Sequence, residues 1–192
     1  MSCNIPNSDK KRVVIVGGGF GGLKLAQKLK KSNYQVVLVD KNNYHQFPPL
    51  IYQVASSGIE PSSIAFPFRR LFQRRKDFYF RLASVLSIMP EEKIIQTSIG
   101  KLSYDYLVLA AGTTTNFFGN KDIEQESIPM KNLSESMGLR NALLDNFERA
   151  LAAETTDENY KKGVEMIFNQ YKSILDKLGV TEIEALGCTF DP

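Results

Sequence analysis

The sequence predicts an α/β fold built on a parallel sheet, and three observations carry that prediction. Val13-Val14-Ile15-Val16 is a β-branched run with no polar alternation, the pattern of a strand buried on both faces. Gly17-Gly18-Gly19-Phe20-Gly21-Gly22 follows at once and opens a helical pattern that ends at Lys31. A second apolar run, Gln35 to Val39, ends in Asp40. Strand, glycine loop, helix and strand in about 30 residues make a βαβ unit.

Each part of that unit meets a demand of binding an adenine dinucleotide. Gly17 permits the tight turn out of the strand, Gly19 lets backbone approach a pyrophosphate, and Gly22 lets the helix pack on the sheet. The helix N-terminus offers unpaired N–H groups and the positive end of its dipole to phosphates. Asp40 supplies a carboxylate for ribose hydroxyls. A purely structural glycine-rich turn is the alternative, and the strand, helix and terminal acid in register weigh against it.

The remaining elements follow in order. The first helix, Gly21 to Lys31, is expected to bury Leu23, Ala26 and Leu29 and to stop at Ser32-Asn33. Lys41 to Ala55 mixes amides, aromatics and two prolines without clean periodicity, as a loop built against a ligand would. Pro61 to Arg75 reads as a short helical stretch through Ile64, Phe68, Leu71 and Phe72. Three strand-like pieces, Phe78–Arg81, Ser84–Met89 and Lys93–Gln96, suggest an antiparallel meander. Tyr104 to Gly112 reads as a buried strand whose small tip, Ala110-Ala111-Gly112, leaves room for a ligand against backbone. A helix from Ser134 to Leu151, with no capping box, carries Leu139, Leu143, Leu144, Phe147 and Leu151 as its apolar stripe. After a polar break at Glu154–Asn159, Val164 to Leu178 predicts a strong helix closed by Gly179. Val180 to Pro192 reads as a lone strand and turn.

Composition narrows the classes. The 192 residues suit one domain and a small appendage, and a dispersed net charge of +3 does not argue for nucleic acid. The basic cluster Arg69, Arg70, Arg74, Arg75, Lys76 reads as a solvated helix face, with anionic lipid or a partner as the sharper alternative. Cys3 and Cys188 stand near opposite ends, which argues against a disulfide framework or a zinc site and for a reducing, cytoplasmic setting. The polar N-terminus has no signal-peptide core, and no run reaches the ~20 apolar residues of a membrane span. No metal site is expected. His45, the only histidine, lacks an identifiable substrate or orienting acid and reads as a ligand-loop contact or a packing residue, not a general base.

Several of these motifs together resemble one family. The glycine loop, Asp40-Lys41-Asn42-Asn43-Tyr44-His45, Pro49-Leu50-Ile51-Tyr52-Gln53-Val54-Ala55 and Tyr104 to Gly112 look like type II NADH dehydrogenases. These are non-proton-pumping, FAD-containing NADH:quinone oxidoreductases, and the likeness covers residues 10 to 155. The resemblance implies a Rossmann-like FAD domain in which Gly17, Gly19 and Gly22 hold the pyrophosphate, Asp40 holds the adenosine ribose, and Phe20 and Gly21 are further cofactor-binding positions. It implies that Lys41 is a cofactor-binding position, that Asn43 and His45 run along the flavin, that Val85 meets adenine through its backbone, and that Ala111 and Gly112 approach the cofactor. Ala111 stands where the family usually has threonine, so one side-chain hydroxyl is lost. Catalytic residues are not identified.

An intact member continues into a second glycine motif for NADH, a quinone motif and an amphipathic membrane anchor on the cytoplasmic face. None of these is recognised here, so the chain alone is expected to be inactive in NADH:quinone turnover. The tail has a second likeness. Lys162 to Gln170, Leu178-Gly179-Val180 and Ala185 to Pro192 are similar to the C-terminal part of GrpE-type co-chaperones, the nucleotide exchange factors of Hsp70. The expected organisation is a disordered terminus over 1–10, a partial FAD domain over 11–155 and a GrpE-like helix and strand over 156–192. The join is placed near 154–160. A chimeric or binding module that contacts Hsp70 is the alternative function.

Overall fold

The structure, a computed structural model, describes residues 3–177 and 179. In chain order the elements are β1 (Lys11–Val16), α1 (Phe20–Lys28), β2 (Tyr34–Asp40), β3 (Tyr44–Gln46) and α2 (Ile51–Ala55). Then come β4 (Ala65–Pro67), α3 (Phe68–Leu71), β5 (Phe78–Leu82), β6 (Val85–Met89), β7 (Ile94–Thr97), β8 (Gly100–Ser103) and β9 (Tyr106–Leu109). The helices α4 (Lys121–Glu126), α5 (Leu133–Ala152) and α6 (Glu158–Lys177) complete it. The strand expected over 180–192, and Cys188 with it, lies outside the described residues. Two compact units divide the chain: Met1–Phe47 with Ala65–Thr114, and Pro48–Ile64 with Thr115–Pro192.

The first unit is an α/β layer structure. Four parallel strands run in the order β5-β2-β1-β9. Alternate residues of β1 and β2 serve opposite faces. Val13, Ile15, Val36 and Leu38 join Ala26, Phe68, Phe72, Phe78 and Phe80 on one side. Val14, Val37 and Val39 join Ile95 and Leu102 of the antiparallel sheet β6-β7-β8 on the other. Both faces are covered, which is why these strands read as unbroken apolar runs.

Several expectations change here. Phe78–Arg81 is not part of the meander. It becomes β5, paired parallel to β2, while the meander is completed by Gly100–Ser103. Phe78 and Phe80 earn that place by adding to the core beside α1. Among the described residues the expected buried strand at Tyr104–Gly112 is an edge, with Tyr106 46% and Leu109 63% exposed, because only β1 pairs with it there. The loop over 41–55 contains β3, a 3-10 turn at Pro48–Leu50 and α2. Pro61–Arg75 is broken into a 3-10 turn, β4 and α3, and Leu71 is exposed.

The terminus expected to be disordered is tied down. Cys3 is buried, Arg81 donates to the carbonyls of Cys3 and Asn4, and Gln35 donates to that of Pro6. Cys3 also packs with Val14 and Val37 beside the meander.

The second unit is helical among its described residues. α5 packs with α2 and with α6. Its N-cap is Asn132, earlier than the sequence suggests, and the capping box that Ser134 could not make is made by Asn132 and Glu135. On α6, Phe168 and Tyr171 approach Phe147 at ring distances of 6.5 and 6.1 Å, and the Tyr171 hydroxyl donates to the Arg140 carbonyl at 3.1 Å. Gly179, at φ +77, stands just past α6, with its N–H on the Asp176 carbonyl.

Candidate functional site

The C-terminal ends of β1, β2 and β9 meet at the glycine loop. Gly17 turns out of β1 at φ +98, a conformation only glycine adopts without strain. It is also crossed by the tip of β9, because a Cβ there would lie 2.2 Å from the Ala110 carbonyl oxygen. Gly22 sits under the loop, where a Cβ would lie 1.9 Å from the Gly17 oxygen. These contacts close one side of the loop. The other side is open, with nothing within 4 Å of a Cβ at Gly19 or Gly21.

α1 begins at that open side. Its N-cap is Gly19, which offers no side-chain cap, and no acidic residue stands in the first turn. The positive end of the dipole and the first N–H groups are therefore not neutralised by the helix itself. Asp40 ends β2 beside the loop, accepting from the Gly18 N–H at 2.5 Å and the Asn42 N–H at 2.8 Å. Burial, with the Asp40 charge adding, pushes the Tyr44 phenol above its ordinary value.

The other sequence-predicted residues divide into those near this centre and those beside it. The Ala83 N–H donates to the Asp40 backbone carbonyl at 2.9 Å, which brings the segment leading to Val85 next to the end of β2. Ala111 and Gly112 follow the β9 tip and are exposed. Lys41 and Asn43 are exposed, and the Asn43 carbonyl accepts from Phe68 N–H at 3.1 Å. Phe20 is half exposed, edge-on to His45 at 5.4 Å and to Phe47 at 5.5 Å. His45 is buried, and its Nδ1 lies 2.9 Å from the Gly18 carbonyl oxygen.

Two residues were missed by the sequence reading. Gly18 falls at a position the glycine motif leaves free, yet a Cβ there would lie 2.1 Å from Cζ of Phe68. Phe68 itself reads only as part of a short helix. Nothing local to either residue signals the contact.

Two concave surfaces of this unit lie away from the glycine loop. They are lined by Gln27, Lys30 and Arg70–Arg75, and by Arg69, Phe72 and Phe78–Arg81, near the far end of α1. Among the described residues no cluster of His, Cys, Asp and Glu could hold a metal, and no helix is long and apolar enough to cross a membrane.

The glycine loop, the parallel strands around it and the acid at the end of β2 all fall within one family match. The family model described as pyridine nucleotide-disulphide oxidoreductase matches residues 11–151. The chain belongs to this family. A second family model, GrpE, matches residues 139–192 and so reaches back into α5, upstream of the join expected near 154–160.

Among curated relatives, the type II NADH:quinone oxidoreductase Ndh of Mycobacterium tuberculosis is 34% identical over 145 residues, covering 73% of this chain and 31% of that protein. NdhA of the same organism is 30% identical over 182 residues, covering 93% and 37%. The chain thus spans about a third of the length of these oxidoreductases. Among solved structures, NDH2 of Plasmodium falciparum in complex with NADH superposes with a TM-score of 0.69 at 25% identity, covering 80% of this chain and 32% of that one. The sulfide:quinone oxidoreductase of Aquifex aeolicus gives 0.66 at 26%, covering 72% and 32%.

Proposed function

We propose that residues 11–155 are the FAD-binding part of an NADH:quinone oxidoreductase. One observation carries the reading: an uncapped helix N-terminus opens onto free space at Gly19, with the Asp40 carboxylate fixed beside it. That space suits a pyrophosphate, and a carboxylate at the end of β2 suits a ribose. Gly17, Gly19, Phe20, Gly21 and Gly22 would form the pyrophosphate cradle, Asp40 and Lys41 its ribose side, and Val85 the adenine side. Asn43, His45, Ala111 and Gly112 would border the flavin. A bound flavin would supply two-electron acceptance from a reduced nicotinamide. The chain's own residues bind and orient it. The 34% identity with an NADH:quinone oxidoreductase supports this choice of dinucleotide.

Flavin titration tests the reading. The purified 192 residues are expected to take up FAD with quenching of flavin fluorescence, and Gly19→Val, which fills the open side of the loop, is expected to abolish uptake. Protein that takes up no added FAD would overturn it. We further infer that flavin-loaded chain oxidises NADH no faster than free flavin, because these residues contain one glycine motif, assigned here to FAD.

A second reading concerns the tail. Residues 156–192 would act as a GrpE-like segment that contacts an Hsp70, supported by the family match and by three apolar side chains left exposed on α6. These are Tyr160 at 54%, Met166 at 70% and Ile167 at 53%.

A further inference from the structure

We propose that His45 and Phe68 form a latch on Gly18 that holds the glycine loop in its binding conformation, so that flavin affinity depends on two side chains outside the motif. The inference rests on reading the loop as a flavin cradle. Gly18 is buried and is held on three sides. Its N–H donates to Asp40 Oδ2 at 2.5 Å, its carbonyl lies 2.9 Å from His45 Nδ1, and the Phe68 ring covers its Cα. A carbonyl only accepts, so His45 Nδ1 carries the proton and donates.

The latch has a single mechanical source. His45 on β3 pairs with Phe66 on β4, and Phe68 N–H bonds back to Asn43, so one antiparallel strand pair, with α3 beginning at its end, aims both side chains at the loop. Phe68 is fully buried and packs on Phe80 at a ring distance of 5.1 Å, so its ring is not free to swing away from a neighbour. Pinning Gly18 on the closed side leaves Gly19 and Gly21 facing open space. A hydrogen bond that engages Nδ1 with the loop makes His45 a positioning residue that acts through Gly18.

The latch predicts a coupling between residues that the motif treats as independent. Gly18→Ala sets a methyl against Phe68 Cζ and Cε1, at 2.1 and 2.5 Å, atoms that leucine lacks. In the 192-residue chain, Gly18→Ala is expected to weaken FAD binding by about ten-fold or more, and Gly18→Ala with Phe68→Leu to recover most of that loss, a non-additive pair. His45→Leu is expected to weaken binding by a similar factor. His45→Asn, whose amide N–H falls near the Nδ1 position, is expected to restore it while the thermal midpoint matches that of His45→Leu.

Two readouts separate the possible failures. If wild-type chain takes up no FAD, the cofactor reading fails, and the latch is judged on thermal midpoints alone. Gly18→Ala must then lower the midpoint, and Phe68→Leu must return part of it. The latch is overturned if Gly18→Ala matches the wild type in both readouts, if the two substitutions simply add, or if His45→Leu binds FAD normally.

Discussion

Arg69, Arg70, Arg74 and Lys76 keep the solvated role that their clustering suggests, but Arg75 does not. Its guanidinium donates to the carbonyl of Ala26 in the last turn of α1 at 2.5 Å and to that of Leu29, the C-cap, at 3.2 Å, which also accepts from Ser32. It also lies over the rings of Phe78 and Phe72, which stack on each other at 3.9 Å. A cation at a helix C-terminus complements the dipole as well as the carbonyls. Burial pulls the Arg75 pKa down, and the nearby Asp77 charge opposes that in part. Arg75→Met keeps the apolar stem over the aromatic pair and removes the donors. It is expected to cost about 1.5–3 kcal/mol in urea denaturation, the usual worth of hydrogen bonds to charged groups. No change in the midpoint would show that solvent satisfies those carbonyls equally well. Local sequence does not distinguish Arg75 from Arg74, since the distinction is made by α1, far away in the chain.

Helix α5 shows how much a local signal fixes at the level of an element. Its apolar stripe is legible in the spacing of Leu139, Leu143, Phe147 and Leu151, and each of these is half-buried. Its start is set by Asn132, whose side chain accepts from Glu135 N–H at 3.0 Å, while Glu135 Oε2 accepts from Asn132 N–H at 3.2 Å. Asn132→Ala removes one half of this reciprocal box and is expected to cost about 1 kcal/mol. Paired denaturation curves of the two proteins measure it, and an unchanged midpoint would mean the helix end frays without consequence. Strand β9 is the converse case. Its residues Leu107-Val108-Leu109 read as buried, and only the strand order reveals that one side has no partner among the described residues. Strand β5 likewise looks like a hairpin strand until its pairing with β2 is seen. Periodicity reports which residues can be covered, whereas pairing decides which of them are.

At the scale of the whole molecule, two family models overlap on α5, at residues 139–151. The second compact unit contains α5, α6 and the α2 segment, so the helix shared by both matches lies in that unit. If the tail acts on an Hsp70, the 192-residue chain should speed nucleotide release from that ATPase. Met166→Asp with Ile167→Asp, both on exposed α6 positions, should remove the effect while flavin uptake stays unchanged. Release at the spontaneous rate with wild-type chain would sink the co-chaperone reading and leave the cofactor reading untouched.

The sequence by itself determined the βαβ unit, the direction of its strands and the closeness of Asp40 to the glycine loop. Each of these follows from short-range patterns: a doubly buried strand, a turn that requires glycine, and an acid at a strand end. It also determined both family likenesses. Only the tertiary structure decided that β5 belongs to the parallel sheet and β9 to its edge, and that Cys3 is buried. Only the tertiary structure, too, set Phe68 and His45 against Gly18. The physical reason is common to all of these. They are contacts between segments distant in sequence, chosen by packing against the whole core, and no local pattern encodes the partner.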